Sequence, residues 1–459
     1  MVDDTIAAIA TPVGEGGLAV IRLSGPKSLE IADQCFVPQG KSSAKASAAA
    51  SHTIQFGHIV RDGRQIDEVL LAVMRAPRTF TREDTVEITC HGGILPARLV
   101  LDAALHAGAR SAEPGEFTRR AFLNGRIDLA QAEAVADLIH SRTELALQAA
   151  NEQLAGKLSQ RINELRDDMV RTLAHVEAHI DFPDEDISPD TKDQLLARLE
   201  RGVAFMDELL LTAGEGRILR NGIRAAIIGP PNAGKSSLLN QLLGHDRAIV
   251  SPIPGTTRDT IEETANIRGL PVIFIDTAGL REACDEIEQE GIRRSRKSLE
   301  QAELILYVLD ASDTLKGGPP TLTDAPNSGF KQIVVLNKID LLQNGNGDSF
   351  PEPVSKTVRV SCKTGAGIES LKDAIKAMVW SGAVKAEMLQ AMINSRHQDA
   401  LHRAREATIL TIEALRAGQT LELAAMDLRI AVNAVGEIVG KTATEDILDM
   451  IFSQFCIGK

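Results

Sequence analysis

The chain has 459 residues, of which 44% are hydrophobic and 25% charged, an ordinary globular composition that excludes wholesale disorder. Its length predicts about three domains. Acidic residues outnumber basic ones by 63 to 50. The resulting net charge of −13 argues against a protein that simply coats nucleic acid, although it permits a local basic patch.

Cysteine usage and hydropathy bear on the compartment. None of the five cysteines belongs to a Cys-x-x-Cys pair, so neither a zinc site nor a disulfide framework is predicted. The N-terminal residues lack the basic region of a signal peptide, and no stretch approaches the length of about 18 uninterrupted apolar residues that a membrane span needs. We therefore expect a soluble cytoplasmic protein that does not enter a membrane.

The first part of the chain, residues 1–118, has the mixed pattern of an α+β domain. Short runs typical of strands alternate with glycine turns, and one stretch has helical spacing. The Ala/Ser-rich stretch Ser42–Ser51 has low complexity and is expected to form a mobile loop. The predicted strands are Leu18–Leu23, Val69–Met74 and Thr85–Thr89, and the predicted helix is Pro96–Ala107.

Two helical stretches flank an α/β stretch in the rest of the chain. Apolar residues recur at three- and four-residue steps in residues 119–216 and again in 379–459. Residues 217–378 instead alternate short apolar runs with helical segments, the βαβ rhythm of a parallel sheet. We therefore predict an α/β domain inserted into one helical domain, because domain termini often lie close together. Two independent helical domains are the alternative.

The strongest motif is Gly229–Ser236, with the sequence GPPNAGKS. It follows the apolar run Ala225–Ile228 and precedes the helical segment Ser237–Leu243, the context of a phosphate-binding loop (P-loop). Glycines allow successive backbone N–H groups to surround a phosphate, and the helix N-terminus adds a partial positive charge. Lys235 is expected to reach the β- and γ-phosphates, and the Ser236 hydroxyl to ligate Mg²⁺.

Three further motifs indicate a guanine nucleotide. Asn337–Asp340 (NKID) closes an apolar strand, and a carboxylate there accepts hydrogen bonds from guanine N1–H and N2–H₂, donors that adenine lacks in this geometry. Ser361–Lys363 (SCK) fits the loop behind the base, and Asp276–Gly279 (DTAG) offers a carboxylate near Mg²⁺ and a glycine for the γ-phosphate. Each tetrapeptide alone is a weak signal, but all four motifs in this order predict a GTP-binding domain.

The residues on either side of DTAG bear on hydrolysis. Thr257, in the polar stretch Gly255–Asp259, is the candidate for a second Mg²⁺ hydroxyl. Leu280 stands where small signalling GTPases carry a glutamine that orients the attacking water, so the water must be positioned by other means. The acidic run Glu282–Glu290 offers carboxylates, although a solvated helix N-terminus explains such a run equally well.

The chain resembles the MnmE (TrmE) family of bacterial tRNA-modification GTPases. The resemblance extends over every part of the chain, which separates it from that of a generic GTPase. It is carried by ATPVGEGGLAVIRLSGP, FTREDTVEITCHGG, EPGEFTRRAFLNGRIDLAQAEAVADLI, AHIDFPDED, GPPNAGKSSLLN, PGTTRDTIEE, DTAGLREACDEIEQEGI, NKID, SCKTG and IFSQFCIGK.

The resemblance implies a three-part architecture: a folate-binding and dimerisation domain at residues 1–118, a split helical domain, and the GTPase domain between its halves. It implies a homodimer whose GTPase domains approach each other with GTP and K⁺, the ion replacing an arginine finger, and Glu288 as the catalytic acidic residue. The implied K⁺ ligands are Asn232, Ser251, Ile253 and Thr256, and the implied Mg²⁺ ligands are Ser236 and Thr257. The residues expected at GTP are Asn232, Ala233, Gly234, Lys235, Ser236, Ser237, Ser251, Pro252, Ile253, Pro254, Gly255, Thr256, Thr257, Asp276, Thr277, Ala278, Gly279, Asn337, Lys338, Asp340, Ser361, Cys362 and Lys363.

The resemblance also implies a site for a tetrahydrofolate derivative, 5-formyl- or methylene-tetrahydrofolate. Relatives often carry lysine where this chain has Arg126, so the charge is retained but the donor geometry differs. Cys456, in a tail expected to be flexible, is implied to act in tRNA modification, and a free buried cysteine is the alternative. The implied folate contacts are Arg22, Glu87, Arg126 and Lys459.

The implied function is GTP hydrolysis coupled to tRNA modification. With an FAD-dependent partner of the MnmG (GidA) type, in a heterotetramer or larger assembly, the chain would add an aminomethyl or carboxymethylaminomethyl group at carbon 5 of the tRNA wobble uridine. The folate would supply the methylene. The alternatives are an Era- or Der-like ribosome-assembly GTPase and a non-catalytic GTP-gated scaffold. Because the chain is acidic overall, the candidates for tRNA contact are local: Arg119, Arg120 and the basic run 293–297.

Overall fold

The computed structural model describes residues 4–40, 44–182, 192–244, 262–275, 301–312, 331–342, 356–380 and 392–459. Close approaches between Cα atoms divide the chain into two compact units, each assembled from separate stretches. Unit 1 is Met1–Ala136, Ser159–Glu200 and Arg403–Lys459, and unit 2 is Asp137–Leu158 and Arg201–His402. Among the described residues, no helix combines the length and the apolar character needed to cross a membrane.

The described part of unit 1 contains one seven-stranded sheet. Its strands are β1 (Ile6–Ile9), β2 (Leu18–Ser24), β3 (Phe36–Pro38), β4 (Thr53–Arg61), β5 (Arg64–Met74), β6 (Thr85–His91) and β7 (Arg110–Ser111). They lie in the order β3-β4-β5-β6-β2-β1-β7, with only the β1–β7 pair parallel. Alternate residues of β2, β5 and β6 are buried, because successive side chains of a strand point to opposite faces.

The described part of unit 2 contains a six-stranded sheet. Its strands are β8 (Ile223–Ile228), β9 (Glu263–Ile267), β10 (Leu270–Phe274), β11 (Leu304–Asp310), β12 (Lys331–Asn337) and β13 (Lys356–Arg359). The order is β13-β12-β11-β8-β10-β9, and every neighbouring pair is parallel except β9–β10. The carboxyl ends of β8, β11, β12 and β13 therefore meet at one edge of the sheet, where such sheets bind ligands.

Helices account for most of the remaining described chain. They are α1 (Ser28–Cys35), α2 (Ile94–His106), α3 (Glu116–Leu123), α4 (Leu129–His140), α5 (Glu144–Leu154), α6 (Lys157–Asp181), α7 (Lys192–Leu211), α8 (Ala213–Asn221), α9 (Lys235–Leu243), α10 (Ile368–Val379), α11 (Ser395–Ala417), α12 (Leu421–Ile438) and α13 (Glu445–Phe452). Short 3₁₀ turns occur at Ala46–Ala48 and Ile339–Leu341. Along the chain, the α+β part is followed by helices, the α/β part and further helices, so the predicted fold class is confirmed.

Most predicted elements are present with small shifts at their ends. The predicted helix of residues 96–107 is observed as α2, which begins two residues earlier because Gly93 precedes it with extended backbone. Strand β5 begins at Arg64, five residues before its predicted start, since its first half pairs with β4 in a hairpin. The boundaries of the predicted domains stay predictions.

The Ala/Ser-rich stretch differs from expectation in its described part. Residues 46–48 form a 3₁₀ turn, and Ala46 and Ala49 are buried in the core of the seven-stranded sheet. The Arg75 guanidinium donates to the carbonyl oxygens of Ser47 (2.6 Å) and Ala49 (3.1 Å). The prediction of a mobile loop is therefore wrong for residues 46–49, because small side chains allow this turn to pack closely against the sheet.

Candidate functional site

The P-loop leaves strand β8 and closes where helix α9 begins, and three of its residues have positive φ: Gly229 (148°), Asn232 (61°) and Gly234 (94°). A Cβ placed on Gly229 would lie 2.1 Å from the carbonyl oxygen of Val308, and one on Gly234 would lie 2.2 Å from Asn337 Nδ2. Both positions therefore require glycine for space as well as for backbone conformation. Asparagine tolerates the left-handed region better than most residues, which suits Asn232 to the tip of the loop.

Lys235, the first residue of α9, folds back over the P-loop. Its Nζ lies 3.0 Å from the Gly229 carbonyl oxygen and 2.9 Å from that of Pro230. Burial lowers the pKa of this ammonium group, because a cation loses hydration there. A phosphate brought to the loop would return a negative charge to the cation and would meet the helix N-terminus at the same point.

The side chain of Asn337, at the end of β12, links the P-loop to the loop after β13. Its Nδ2 donates to the Ala233 carbonyl oxygen (2.9 Å), and its Oδ1 accepts from the Cys362 backbone N–H (3.1 Å). Asn337 is 2% exposed, so these hydrogen bonds are shielded from water. Three motifs that are far apart in the sequence are thus held together by one amide.

Asp340 is positioned by the loop after β13. The Ser361 hydroxyl donates to Asp340 Oδ1 at 2.6 Å and accepts from the Thr364 backbone N–H at 3.3 Å. The Cys362 carbonyl oxygen accepts from Gln241 on α9 (2.8 Å), and burial raises the pKa of the Cys362 thiol to about 11, which keeps it unreactive. Lys363 is exposed in the same turn. The geometry leaves a carboxylate at the sheet edge where a base can pair with it.

Asp310, at the end of β11, also lies at this edge of the sheet, although it belongs to none of the four sequence motifs. Its Oδ2 lies 2.6 Å from Lys338 Nζ. The available signal was the apolar run Leu304–Leu309 ending in an acidic residue, but the partner became visible only from the pairing of β11 with β12, which sets Asp310 opposite Asn337.

In unit 1, Arg22 and Glu87 form an ion pair across strands β2 and β6. They are direct cross-strand partners, and Arg22 Nε donates to Glu87 Oε1 at 2.8 Å. The guanidinium also lies 5.7 Å from the ring centre of Phe117 and donates to the Gly458 carbonyl oxygen at 3.3 Å. Two of the four residues implied to bind folate therefore touch each other. The residue before Lys459 accepts a hydrogen bond from one of them, Arg22.

Arg126 has different neighbours in the same unit. It donates to the Thr79 carbonyl oxygen (2.9 Å), and its guanidinium lies 5.7 Å from the ring centre of Phe80. Phe80 packs in the same apolar cluster as Phe117, the ring beneath Arg22. Two guanidinium groups therefore cover two rings of one cluster.

The C-terminal tail is anchored, which corrects the expectation of a flexible segment. Ile457 forms an antiparallel bridge with Pro114, and Gly458 has φ of 94°. A Cβ on Gly458 would lie 2.4 Å from the Ile9 carbonyl oxygen, so the tail passes too close to β1 for a side chain at this position. Cys456 is exposed, and the alternative of a buried thiol is wrong.

Comparison with known proteins identifies the family. Residues 129–456 match the model of the MnmE helical domain, and residues 5–126 match that of the GTP-binding protein TrmE N-terminus. The chain belongs to the MnmE family.

Full-length relatives of this MnmE-family chain share nearly half of its residues. A protein from Bacillus velezensis named tRNA modification GTPase MnmE is 46% identical over 99% of this chain and 100% of its own length. A protein of the same name from Geobacter metallireducens is 47% identical over 100% of this chain and 99% of its own. The solved FeoB G-domain from Methanococcus jannaschii is 26% identical over 34% of this chain and 97% of its own, with a TM-score of 0.24, too low to support a structural conclusion.

One of the basic residues that the sequence offered for tRNA contact is not available. Arg120 is 2% exposed and pairs with Asp4 (2.6 Å), Glu83 (3.3 Å) and Glu116 (3.0 Å), so its assignment as a tRNA contact is wrong. Arg119 points outward and pairs with two carboxylates of α13. Arg119 and Arg120 are adjacent in the sequence, and only the fold shows that α3 turns Arg120 inward and leaves Arg119 at the surface.

Several expected residues of this MnmE-family site lie outside the described residues, and their roles stay predictions. They belong to three groups: the stretch expected to bind K⁺ and the second Mg²⁺ hydroxyl, the DTAG motif, and the candidate catalytic residue. They are Ser251, Pro252, Ile253, Pro254, Gly255, Thr256, Thr257, Asp276, Thr277, Ala278, Gly279 and Glu288, and the basic run 293–297 lies there too.

Proposed function

We propose that this chain is a GTPase that acts in tRNA modification. With an FAD-dependent partner of the MnmG type, it would add an aminomethyl or carboxymethylaminomethyl group at carbon 5 of the wobble uridine. The observation that carries the nucleotide part is the Asn337 amide, which holds the P-loop against the loop that positions Asp340. The names of the full-length relatives support the tRNA part.

Guanine selection follows from the placement of Asp340. Ser361 donates to one oxygen of this carboxylate, which fixes its plane at the sheet edge. Guanine offers N1–H and N2–H₂ to such an acceptor, whereas adenine would leave a desolvated carboxylate without donors. The site therefore favours GTP over ATP.

The phosphates and Mg²⁺ belong at the start of α9. Lys235 lies within the P-loop, and Ser236 follows it with a hydroxyl, a suitable oxygen donor for Mg²⁺. Bound Mg²⁺ would offset the negative charge of the phosphates during hydrolysis. Thr257 is proposed as the second hydroxyl ligand and Asp276 as a carboxylate nearby.

Hydrolysis is proposed to use K⁺ and Glu288, since Leu280 has no group that could orient water. Asn232, the described member of the proposed K⁺ set, is exposed at the tip of the P-loop. Its amide oxygen suits a monovalent cation beside the phosphates. A cation there would stabilise negative charge that develops in the transition state. Ser251, Ile253 and Thr256 complete the proposed set.

A one-carbon tetrahydrofolate is proposed to bind at Arg22 in unit 1. A pterin ring carries amino and ring N–H donors that suit Glu87, and the glutamate tail of a folate carries carboxylates that suit Arg22 or Arg126. The aromatic cluster of Phe80 and Phe117 lies under both guanidinium groups. Lys459 and the exposed Cys456 lie in the segment that contacts Arg22 through Gly458.

A homodimer through residues 1–118 is proposed from the outer face of the seven-stranded sheet. Ile54 (69% exposed) on β4 and the directly paired Phe56 and Leu70 (each 45% exposed) on β4 and β5 form an apolar patch there. Such a patch on a sheet face is typical of a protein interface. Sedimentation of the purified chain measures this association: a monomer at micromolar concentration would refute it.

The test of the proposed function is a reconstituted reaction. Purified chain, FAD-dependent partner, tRNA, GTP, Mg²⁺, methylene-tetrahydrofolate and an amine are combined in KCl, and modified wobble uridine and released phosphate are measured. The amine is ammonium for the aminomethyl product and glycine for the carboxymethylaminomethyl product, because the folate supplies only the methylene carbon. We expect modification to require GTP and folate, turnover to fall when NaCl replaces KCl, and Glu288→Ala to stop turnover without releasing GTP. Cys456→Ser should retain turnover but lose modification. Modification without GTP would refute the coupling, and equal turnover in both salts would refute the K⁺ site.

A further inference from the structure

We propose that Asp310 is a positioning residue for the guanine base and that it acts through Lys338. The inference rests on the proposed GTP site and assigns a function to a residue outside its four motifs. Asp310 ends β11, and Lys338 follows the end of the parallel strand β12. Their side chains therefore meet at the sheet edge that carries Asp340.

The Asp310 carboxylate is held at both oxygens. Ser312 donates to Oδ1 through its backbone N–H (2.9 Å) and its hydroxyl (2.7 Å). Oδ2 faces Lys338 Nζ at 2.6 Å, and the Asp310 side chain is 12% exposed. Burial favours the neutral acid, but hydrogen bonds from Lys338 and Ser312 outweigh it and lower the pKa of Asp310, so the group is a fixed anion.

In the sequence, Lys338 lies between Asn337 and Asp340, which have different proposed roles at the nucleotide. Asn337 binds the P-loop, and Asp340 is set to accept from the base edge. Lys338 itself has φ of 64°, in the left-handed region, so the backbone turns away from the course of β12 at this residue. With its ammonium group fixed by Asp310, its four-carbon stem is placed along the sheet edge, where it can cover the face of a base whose edge pairs with Asp340.

A lysine side chain is flexible, and ordering it on ligand binding reduces affinity. The ion pair with Asp310 orders the side chain before the nucleotide arrives. Removing the ion pair should therefore weaken nucleotide binding about 3- to 10-fold, the range expected when one long side chain must be immobilised. The contacts of the phosphates and of Asp340 should be unaffected.

The test is a double-mutant cycle measured as the Kd of GDP for the full chain. Asp310→Asn preserves size, and its single amide oxygen can still accept from Ser312 while its NH₂ cannot accept from Lys338. We expect Asp310→Asn and Lys338→Ala each to weaken GDP binding, and the double variant to be no weaker than Lys338→Ala alone. IDP should be weakened as much as GDP, because the contact is with the base face and not with the 2-amino group.

Two controls separate the inference from the proposed function. Asp373→Asn removes a carboxylate from another ion pair of unit 2, with Arg268 at 2.7 Å, and should leave the Kd unchanged. Lys235→Ala should remove GDP binding; if it does not, the proposed nucleotide site itself is wrong. If Lys235→Ala removes binding but Asp310→Asn does not weaken it, or weakens it equally in the Lys338→Ala background, the inference about Asp310 is overturned.

Discussion

The charged residues of the two candidate sites lie at different places on their sheets. In unit 2, β10 is buried throughout, and the charged groups of the proposed nucleotide site lie at or just beyond the strand ends: Asp310 is the last residue of β11, and Lys338 and Asp340 follow β12. In unit 1 the Arg22–Glu87 pair lies within strands β2 and β6, on the sheet face opposite the main core, where Phe117 and the Gly458 carbonyl oxygen partly cover it.

This difference follows from the two sheet types. When both faces of a parallel sheet are covered, polar groups can reach a ligand only at the edge where the parallel strands end together. An antiparallel sheet with one solvated face can present polar side chains at alternate positions along each strand. The positions of side chains at strand ends depend on the loops that follow the strands and on the backbone conformation of those loops. The positions of side chains on a sheet face depend on the register between strands and on segments that are distant in the sequence.

The largest expected change in affinity belongs to the proposed nucleotide site of unit 2, which we call the edge site because Asn337, Lys338 and Asp340 lie with the P-loop at the edge where the strands end. In Asp340→Asn the amide can still accept from Ser361 through Oδ1, but its NH₂ faces the donors of guanine. We expect GDP affinity to fall about 10⁴-fold. Affinity for XDP should rise instead, because xanthine presents a carbonyl at carbon 2. Titration of both nucleotides measures the change, and a variant that still prefers GDP would show that Asp340 does not contact the base.

The second effect concerns the buried charge of unit 1. Arg120→Met removes the buried cation that pairs with Asp4, Glu83 and Glu116, and breaking a buried ion pair of this kind costs about 3–5 kcal/mol. Asp4 and Glu116 keep Arg110 as a partner, so the loss should lie toward the lower end of this range. The adjacent variant Arg119→Met loses only ion pairs to exposed carboxylates and should cost at most about 1 kcal/mol. Urea unfolding of the full chain measures both, and equal losses would contradict the distinction.

The pH dependence of the Arg120 effect has a defined sign. Burial would raise the pKa of Asp4 and Glu116, but hydrogen bonds from Arg110 and Arg120 outweigh it and hold both pKa values below their ordinary range. Groups with a lowered pKa stabilise the fold above their unfolded pKa and lose this contribution as pH falls. The loss caused by Arg120→Met should therefore be full at pH 7 and shrink below about pH 4. A loss that grows on acidification would contradict the assignment.

The edge site could largely be predicted from the sequence because each of its parts is local. A P-loop needs glycines at fixed spacing after a strand, and Gly229 and Gly234 meet that need through their own backbone conformation. Asp310 was missed because its role arises from strand pairing, which no local pattern specifies. The inward turn of Arg120 was missed for the same reason: its partners Asp4 and Glu83 lie far from it in the sequence.

The meeting of Arg22 and Glu87 with the C-terminal tail, which we propose as a folate site and call the sheet-face site, could be expected only from the family resemblance. Arg22 and Gly458 are 436 residues apart, and nothing in either segment indicates that the two meet. The positive φ of Gly458 and its close approach to Ile9 show why the tail must carry glycine there, but the reason is visible only in the folded chain.

The smallest expected effect tests the sheet-face site. Arg22→Gln keeps a polar side chain but removes the charge that holds Glu87 and the Gly458 carbonyl oxygen. We expect affinity for 5-formyl-tetrahydrofolate to fall at least about tenfold, the effect of losing one charge-assisted hydrogen bond. The exposed Arg64→Gln on β5 should leave it unchanged, and GDP binding should be unaffected in both. Calorimetric titration of the full chain measures these affinities. Folate binding that survives Arg22→Gln intact would place the folate elsewhere. The proposal that unit 1 binds a ligand on a sheet face, as unit 2 does at its strand ends, would then be wrong.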